Sequence, residues 1–318
     1  MRVACPWGRP VWNVSNWHLA DVPRGETEDA LNIVTAKAYD LAGSAGQRPP
    51  RRRGDPESME RLHIVGLGPR TGTTLLAECM AACFEIDAFE PHEASLCEHK
   101  KNVQIYLTKN PVDLNIVGPR LRIDRHLHVI AMLRDPRDVI VSRHKLAPDH
   151  YWAPLRIWQR HLKIMQRLMR HKRFLLVRYE DLVQQPNSVQ EMLMSRLPFL
   201  RQRAHLTEFH RLASPSAKSL KAMGSLRPFN AASVGNWRNH LSRVAGQISI
   251  HGSITRELIE LGYERDASWL LSLYGVTPDL SPSHFPERVT LPTWRLRRRA
   301  YVEAATIAAA RLLGIPLV

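Results

Sequence analysis

The segment Leu62–Leu76, LHIVGLGPRTGTTLL, constrains the fold more tightly than any other stretch of this chain. Its apolar run of Leu62, Ile64, Val65 and Leu67 has the density of a parallel strand covered on both faces. The run stops at Gly68-Pro69, and Gly72 leads into a helix whose first turn holds Thr73 and Thr74. Strand, glycine-bracketed turn and helix in this order aim free backbone amides and the positive end of the helix dipole at one point. Gly72 lets the backbone come close to a ligand. The segment therefore predicts an anion cradle. A phosphate loop that handles a magnesium-bound triphosphate carries lysine directly after its second glycine, and Thr73 stands there instead. The expected ligand is a less highly charged phosphate ester, with Arg70 supplying the cation from inside the loop.

Three more strand-like runs follow, QIYLT, HVIAML and FLLVRY, and helical stretches alternate with them. That rhythm belongs to a parallel sheet with crossover helices. We expect an α/β fold, a P-loop-like parallel sheet flanked by helices, forming a single core domain with N- and C-terminal extensions. The boundaries read as an extension and linker over 1–60, a core over 61–264 and a C-terminal extension over 265–318. In the first extension, residues 27–42 have helical periodicity, and residues 43–58 have the composition of a linker. The longest predicted helix runs from Pro154 to Arg170. Its apolar stripe is Leu155, Trp158, Leu162, Met165 and Met169, and its basic stripe is Arg156, Arg160, Lys163, Arg167 and Arg170. A further helix follows Pro186, with Ser188 and Glu191 at capping-box spacing.

A formal net charge of +15 admits acidic ligands, nucleic acid and anionic surfaces as partners. The basic residues are dispersed and no zinc-finger or RNA-binding signature is present, so specific nucleic-acid reading is not expected. Four cysteines in a chain of 318 residues suit a reducing compartment. Cys79, Cys83, His92 and His99 do not repeat at zinc spacing, and no metal site is expected. The first twenty residues lack the apolar core of a signal peptide. The apolar C-terminal stretch carries Glu303 and Arg311 and falls short of a transmembrane segment. A soluble, cytoplasmic protein is the expectation.

A second anion site is written into HVIAMLRDPRDVIVSRH. A buried strand delivers Arg134 at its carboxyl end, Asp135-Pro136 starts a helix, and Ser142 lies eight residues past the arginine, facing back along that helix. Ligands of open α/β sheets bind at the carboxyl ends of strands. Arginine offers phosphate a bidentate fork and serine adds a neutral donor.

With PRTGTT and RDPRDVIVS in this order, the chain resembles the sulfotransferases that use 3′-phosphoadenosine 5′-phosphosulfate (PAPS), in motif style the bacterial and tyrosylprotein members. Further similarity lies in YLTKNP (Tyr106–Pro111), VRYEDLVQQP (Val177–Pro186), RPFNAASVGNWRNHL (Arg227–Leu241) and LIELGYE (Leu258–Glu264). The resemblance implies transfer of a sulfuryl group from PAPS to an acceptor hydroxyl or amine, without a metal, leaving 3′-phosphoadenosine 5′-phosphate (PAP). It implies that Arg70 contacts the 5′-phosphosulfate and its bridging oxygen, and that the loop residues Thr71, Gly72, Thr73 and Thr74 bind the phosphate. Arg134 and Ser142 hold the 3′-phosphate, and Lys109 lies near the transferring group. Tyr179 meets the adenine, and Arg238 with the backbone of residues 233–236 closes over the 3′-phosphate. Relatives carry a lysine where this chain has Asn236.

The acceptor must lose a proton, and a carboxylate in reach is the usual means. The stretch FEIDAFEPHEAS offers Glu90 first, Glu93 second and His92 third. Acceptor-binding loops are expected at 90–101, 145–152 and 211–227, for a carbohydrate, lipid or small-molecule acceptor. Two rival functions are a nucleotide-dependent phosphotransferase on the same fold and a noncatalytic polyanion-binding protein.

Overall fold

The computed structural model describes residues 59–94, 96, 100, 102–144 and 147–287, together with 298, 301, 302, 305, 306 and 309. The predicted helix over 27–42, the linker after it, Cys5, Cys97 and His99 lie outside the described residues. Within them the chain forms two compact units: residues 235–282, and the larger unit that precedes them and resumes at Ser283.

The larger unit is built on seven strands: β1 (Glu60–Gly66), β2 (Ala88–Glu93), β3 (Ile105–Lys109), β4 (Leu127–Leu133), β5 (Arg143–His144), β6 (Ala147–Tyr151) and β7 (Phe174–Arg178). Five form one parallel sheet in the order β2-β3-β1-β4-β7, while β5 and β6 make a small antiparallel pair. The centre of the sheet is where the sequence is most apolar. Every residue of β1 after Glu60 is buried, and β4 is buried but for His128, as strands covered on both faces require.

Helix α1 (Thr73–Cys83) follows β1, α2 (Leu114–Ile123) follows β3, and the short α3 (Pro136–Ile140) and long α4 (Leu155–Leu168) follow β4. On one face of the sheet, Leu62, Ile64, Ile130, Met132, Leu175 and Val177 pack with Leu76, Cys79, Met80 and Cys83 of α1. Burial pushes the Cys79 thiol well above its usual pKa, which marks it as core. Helix α4 forms where its periodicity predicts: Leu155, Trp158, Leu162 and Met165 are buried, while Arg156, Lys163, Arg167 and Arg170 are exposed. After β7 come α5 (Tyr179–Gln184) and α6 (Pro186–Arg196), then α7 (Phe209–Leu212) and α8 (Ala217–Met223). No helix among the described residues is long and apolar enough to cross a membrane.

Three local expectations change. The stretch read as an acceptor loop from Glu90 begins as edge strand β2, which tolerates Pro91 because its outer side needs no ladder donor. The region 145–152 carries β6. The capping box at Ser188 does not form, because α6 starts at Pro186 and Ser188 is already in its first turn.

Opposite the strand carboxyl ends, Glu60 lies between His126 and His128, at 3.3 and 3.2 Å. Burial raises the pKa of its carboxyl, but the hydrogen bonds and charges of the two histidines outweigh burial and bring it to about 2. A depressed carboxylate stabilises the fold fully above its unfolded pKa near 4.5, and the contribution disappears as pH falls toward about 2. Urea midpoints of the wild type and Glu60→Gln should therefore differ most at pH 5–7 and converge on acidification. A gap independent of pH would contradict the pairing.

Candidate active site

The sheet order fixes where a ligand site can open. From β1 the chain departs toward β2 at one edge, and from β4 it departs toward β7 at the other. The crevice lies between the carboxyl ends of these two neighbours, the topological switch point. The two motifs read from the sequence occupy those two ends.

In the loop after β1 the backbone turns through three left-handed residues: Gly68 at φ 104°, Arg70 at φ 69° and Gly72 at φ 94°. Arg70 is the exception among them, since a side chain in this region costs roughly 1–2 kcal/mol. Thr71 is fully buried, and its hydroxyl donates to Gly68 O at 3.1 Å, so its side chain serves the turn itself. Gly66 is equally confined: a Cβ there would lie 2.3 Å from Thr71 Oγ1. Gly72 caps α1 without a side chain, Thr73 is buried beside it and Thr74 is half-buried.

Arg134, 8 % exposed at the end of β4, closes the crevice from the other side. Its Nη1 donates to Arg70 O at 3.0 Å and its Nη2 to Ser233 O at 2.7 Å, while Nε is buried with no hydrogen-bond partner. The guanidinium stacks 4.4 Å from the centre of the Tyr179 ring, and the Tyr179 hydroxyl shares a 2.7 Å hydrogen bond with Ser233 Oγ. Two buried groups anchor this turn: Trp158 Nε1 donates to Arg134 O at 3.3 Å, and Asp135 N donates to Glu180 Oε1 at 3.0 Å. Asp135 also caps α3, accepting from Arg137 N and from the Arg137 guanidinium.

The helix expected to carry Ser142 stops short. Helix α3 is five residues long, ending at Ile140, where the run Val139-Ile140-Val141 is rich in branched residues that fit helices poorly. Ser142 nevertheless reaches the crevice from beyond that end, where its Oγ accepts from Arg70 Nε at 3.0 Å. Thus Arg70, Ser142, Arg134 and Tyr179 meet at one place. Burial first, and then the neighbouring Arg134, pushes the pKa of Arg70 below the usual guanidinium value, with Tyr179 opposing. Two converging cations partly withdrawn from water are electrostatically uncomfortable until an anion enters.

Lys109 ends β3 and is 4 % exposed. Burial lowers its pKa, and Glu93, Glu78 and Glu90 oppose burial while Lys218 reinforces it. Glu93 is its register partner in β2. Glu90 is half-buried and accepts from His92 N at 3.3 Å, whereas His92 and Glu93 are exposed. Arg238 belongs to the smaller unit, where its guanidinium lies 4.6 Å from the centre of the Trp237 ring. Sequence reasoning placed Trp158 only in the apolar stripe of its helix and did not single out Glu180 or Glu78. Trp158 and Glu180 act through hydrogen bonds to the backbone of the Arg134 turn, contacts that no local sequence pattern marks.

The sequence profile of the family described as "Sulfotransferase domain" matches residues 60–249, which contain β1, the anion loop, Lys109 and the Arg134 turn. The chain belongs to this family and carries a transferase domain. The solved structure of the sulfotransferase domain from the Synechococcus PCC 7002 olefin synthase is similar over 60% of this chain and 91% of that chain, at 16% identity and a TM-score of 0.36. None of the curated proteins compared matches the sequence.

Gly72 is the position where this geometry is easiest to break. A Cβ there would lie 2.6 Å from Tyr179 Cδ2, at a φ that alanine adopts only with strain. Gly72→Ala should lower unfolding stability by about 1–2 kcal/mol in urea. An unchanged midpoint would mean that the loop does not hold this backbone path against Tyr179.

Proposed function

We propose that this protein transfers the sulfuryl group of PAPS to an acceptor hydroxyl or amine, releasing PAP. The observation that carries the reading is the Arg134 guanidinium, fixed beside Arg70 at the switch point with its buried Nε left without a protein partner. An orphaned, permanently charged donor in a crevice suits a phosphate oxygen. The donor set also suits a bisphosphorylated nucleotide. Arg134 and Ser142 take the 3′-phosphate. Arg70 and the amides and hydroxyls of residues 72–74 take the 5′-phosphate, and Tyr179 offers an aromatic face to the adenine.

When bound, PAPS supplies an activated sulfuryl group. The protein's own residues orient it and move one proton. Arg70 and Lys109 meet the charge that grows on the bridging oxygen, and the amides at the start of α1 hold the phosphate. As the acceptor oxygen or nitrogen bonds to sulfur, the bond from sulfur to the bridging oxygen breaks and its electron pair leaves with PAP. The acceptor proton passes to a general base, for which the carboxylate of Glu90 is the first candidate, followed by Glu93 and then the imidazole of His92. Because Thr73 stands where a magnesium-nucleotide enzyme carries lysine, the reaction needs no metal.

Calorimetry tests the two-phosphate site. PAP should bind roughly tenfold to a hundredfold more tightly than adenosine 5′-phosphosulfate, which lacks the 3′-phosphate, because a charge-assisted contact contributes about 1.5–3 kcal/mol. Arg134→Ala should erase that preference. Equal affinities in the wild type would remove the second phosphate site.

The proton acceptor is tested by turnover of radiolabelled PAPS against a panel of carbohydrate, lipid and small-molecule acceptors, in the presence of excess EDTA. Glu90→Gln should lower turnover about 10²- to 10⁴-fold while leaving PAP affinity intact. A collapse in Glu93→Gln or His92→Asn instead would move the assignment there. Turnover abolished by EDTA and restored by magnesium would favour the phosphotransferase reading.

A further inference from the structure

Helix α3 ends at Ile140, so it does not hold Ser142, the serine that meets Arg70. The hairpin that follows holds it. Ser142 O accepts from Trp152 N at 3.0 Å, and Arg143 of β5 is the register partner of Tyr151 at the end of β6. The Arg143 guanidinium lies 4.8 Å from the centre of the Tyr151 ring, and its Nη1 donates to Pro148 O at 3.2 Å. Strands of two and five residues, one of them containing Pro148, make a weak ladder, and an isolated two-stranded hairpin is marginal in water.

A segment more than 130 residues later in the chain supplies a third backbone. Ser283 forms a parallel bridge with Tyr151, His284 N donates to Tyr151 O at 2.7 Å, and Phe285 N donates to Trp152 O at 3.1 Å. The side chains reinforce these bonds. The His284 ring stacks on Trp152 with centres 4.2 Å apart and planes 5° from parallel, and Phe285 meets the same indole edge-on at 5.8 Å. Ser283 N and Oγ both donate to Glu287 Oε1, at 3.1 and 2.8 Å, which closes the segment on itself. His284 is exposed and Phe285 half-buried, so the segment lies on the surface, away from the core under the sheet.

The hydroxyl held in this way has a defined polarity. Arg70 Nε can only donate, so Ser142 Oγ accepts from it and the serine's own hydrogen is not used in that contact. That hydrogen can be offered to an anion as long as the Ser142 backbone keeps its place, because a hydrogen bond tolerates displacement of only some tenths of an ångström.

We propose that residues 283–285 are a strap that positions Ser142 for the 3′-phosphate, acting through Trp152. The strap itself stands on backbone bonds and ring contacts within the larger unit; its ligand rests on the sulfotransferase reading above. His284 and Phe285 are positioning residues, and their effect passes through the bond from Trp152 N to Ser142 O.

Two ligands that differ only in the 3′-phosphate, PAP and adenosine 5′-phosphate, separate positioning from a general loosening of the fold. By calorimetry, His284→Ala combined with Phe285→Ala should lower PAP affinity roughly tenfold, the loss of one hydrogen bond to a charged group, and leave adenosine 5′-phosphate affinity unchanged. The same pair of changes made in Ser142→Ala should lower PAP affinity no further, since substitutions that act through one contact are not additive. His284→Phe, which keeps a ring on Trp152, should bind PAP as the wild type does. Without ligand, the Trp152 amide should exchange with solvent faster in the double variant, as followed by NMR hydrogen exchange. Unchanged Trp152 exchange overturns the strap. Faster exchange with an unaltered preference for PAP, or with equal losses for both ligands, overturns its role in placing Ser142. Should the double variant fail to fold, His284→Ala alone carries the same comparison. Wild-type protein that binds PAP no better than adenosine 5′-phosphate overturns the two-phosphate reading and not the strap, which the exchange measurement decides without any ligand.

Discussion

The Arg134 guanidinium is the contact on which the architecture of the crevice depends. It joins the loop after β1, through Arg70 O, to the segment ending at Ser233, and both meet at the end of β4. The Tyr179 ring beneath it also borders Gly72, so one aromatic side chain limits the position of both the arginine and the loop. Hydrogen bonds from a charged donor contribute about 1.5–3 kcal/mol each, enough to hold a loop whose Arg70 backbone is itself unfavourable. The same side chain thus assembles the site and offers its remaining nitrogen to whatever enters it.

Holding two guanidiniums together is stable only if the surroundings do not neutralise them by other means. The nearby buried acids are already engaged. Asp135 is paired with Arg137 at 2.7 Å, a contact buried on both sides that leaves no net charge to offset Arg134. Glu180 is occupied by Asp135 N, and burial raises its pKa, which weakens it further as a counter-ion. The crevice therefore keeps its positive field. Charge that the protein could have cancelled internally is left available for an anion.

How much of this was readable in the sequence depended on whether each feature is local. The strand Leu62–Leu67, the glycine-bracketed loop and the Arg134 turn are local patterns, and each formed close to where it was expected. Strand β2 was not readable, because Ala88–Glu93 contains proline, histidine and two glutamates, and only pairing with β3 makes it a strand. The length of α3 was misjudged because the Asp135-Pro136 start signal is strong and the branched residues that end the helix are weak signals. Glu78 was invisible for another reason. A lone glutamate one turn into a helix reads as solvent-facing, and its burial is imposed by α8, more than 130 residues later in the chain.

In the function proposed above, the two ends of the site would use cations of different kinds, suited to different tasks. At the switch point the charges are arginines, which stay protonated and present a planar fork, properties suited to gripping phosphate without taking part in proton exchange. At the end of β3 the charge is a lysine among three glutamates and a second lysine. Lysine and glutamate change protonation readily when burial and neighbours shift their pKa values, and burial already lowers Lys109 and raises Glu78. A group-transfer site must keep one partner still while a proton leaves the other. On the proposed reading the fold separates these duties by strand: the ends of β1 and β4 carry the arginines, which keep their charge, and β3 and its edge neighbour β2 carry the groups that can change theirs.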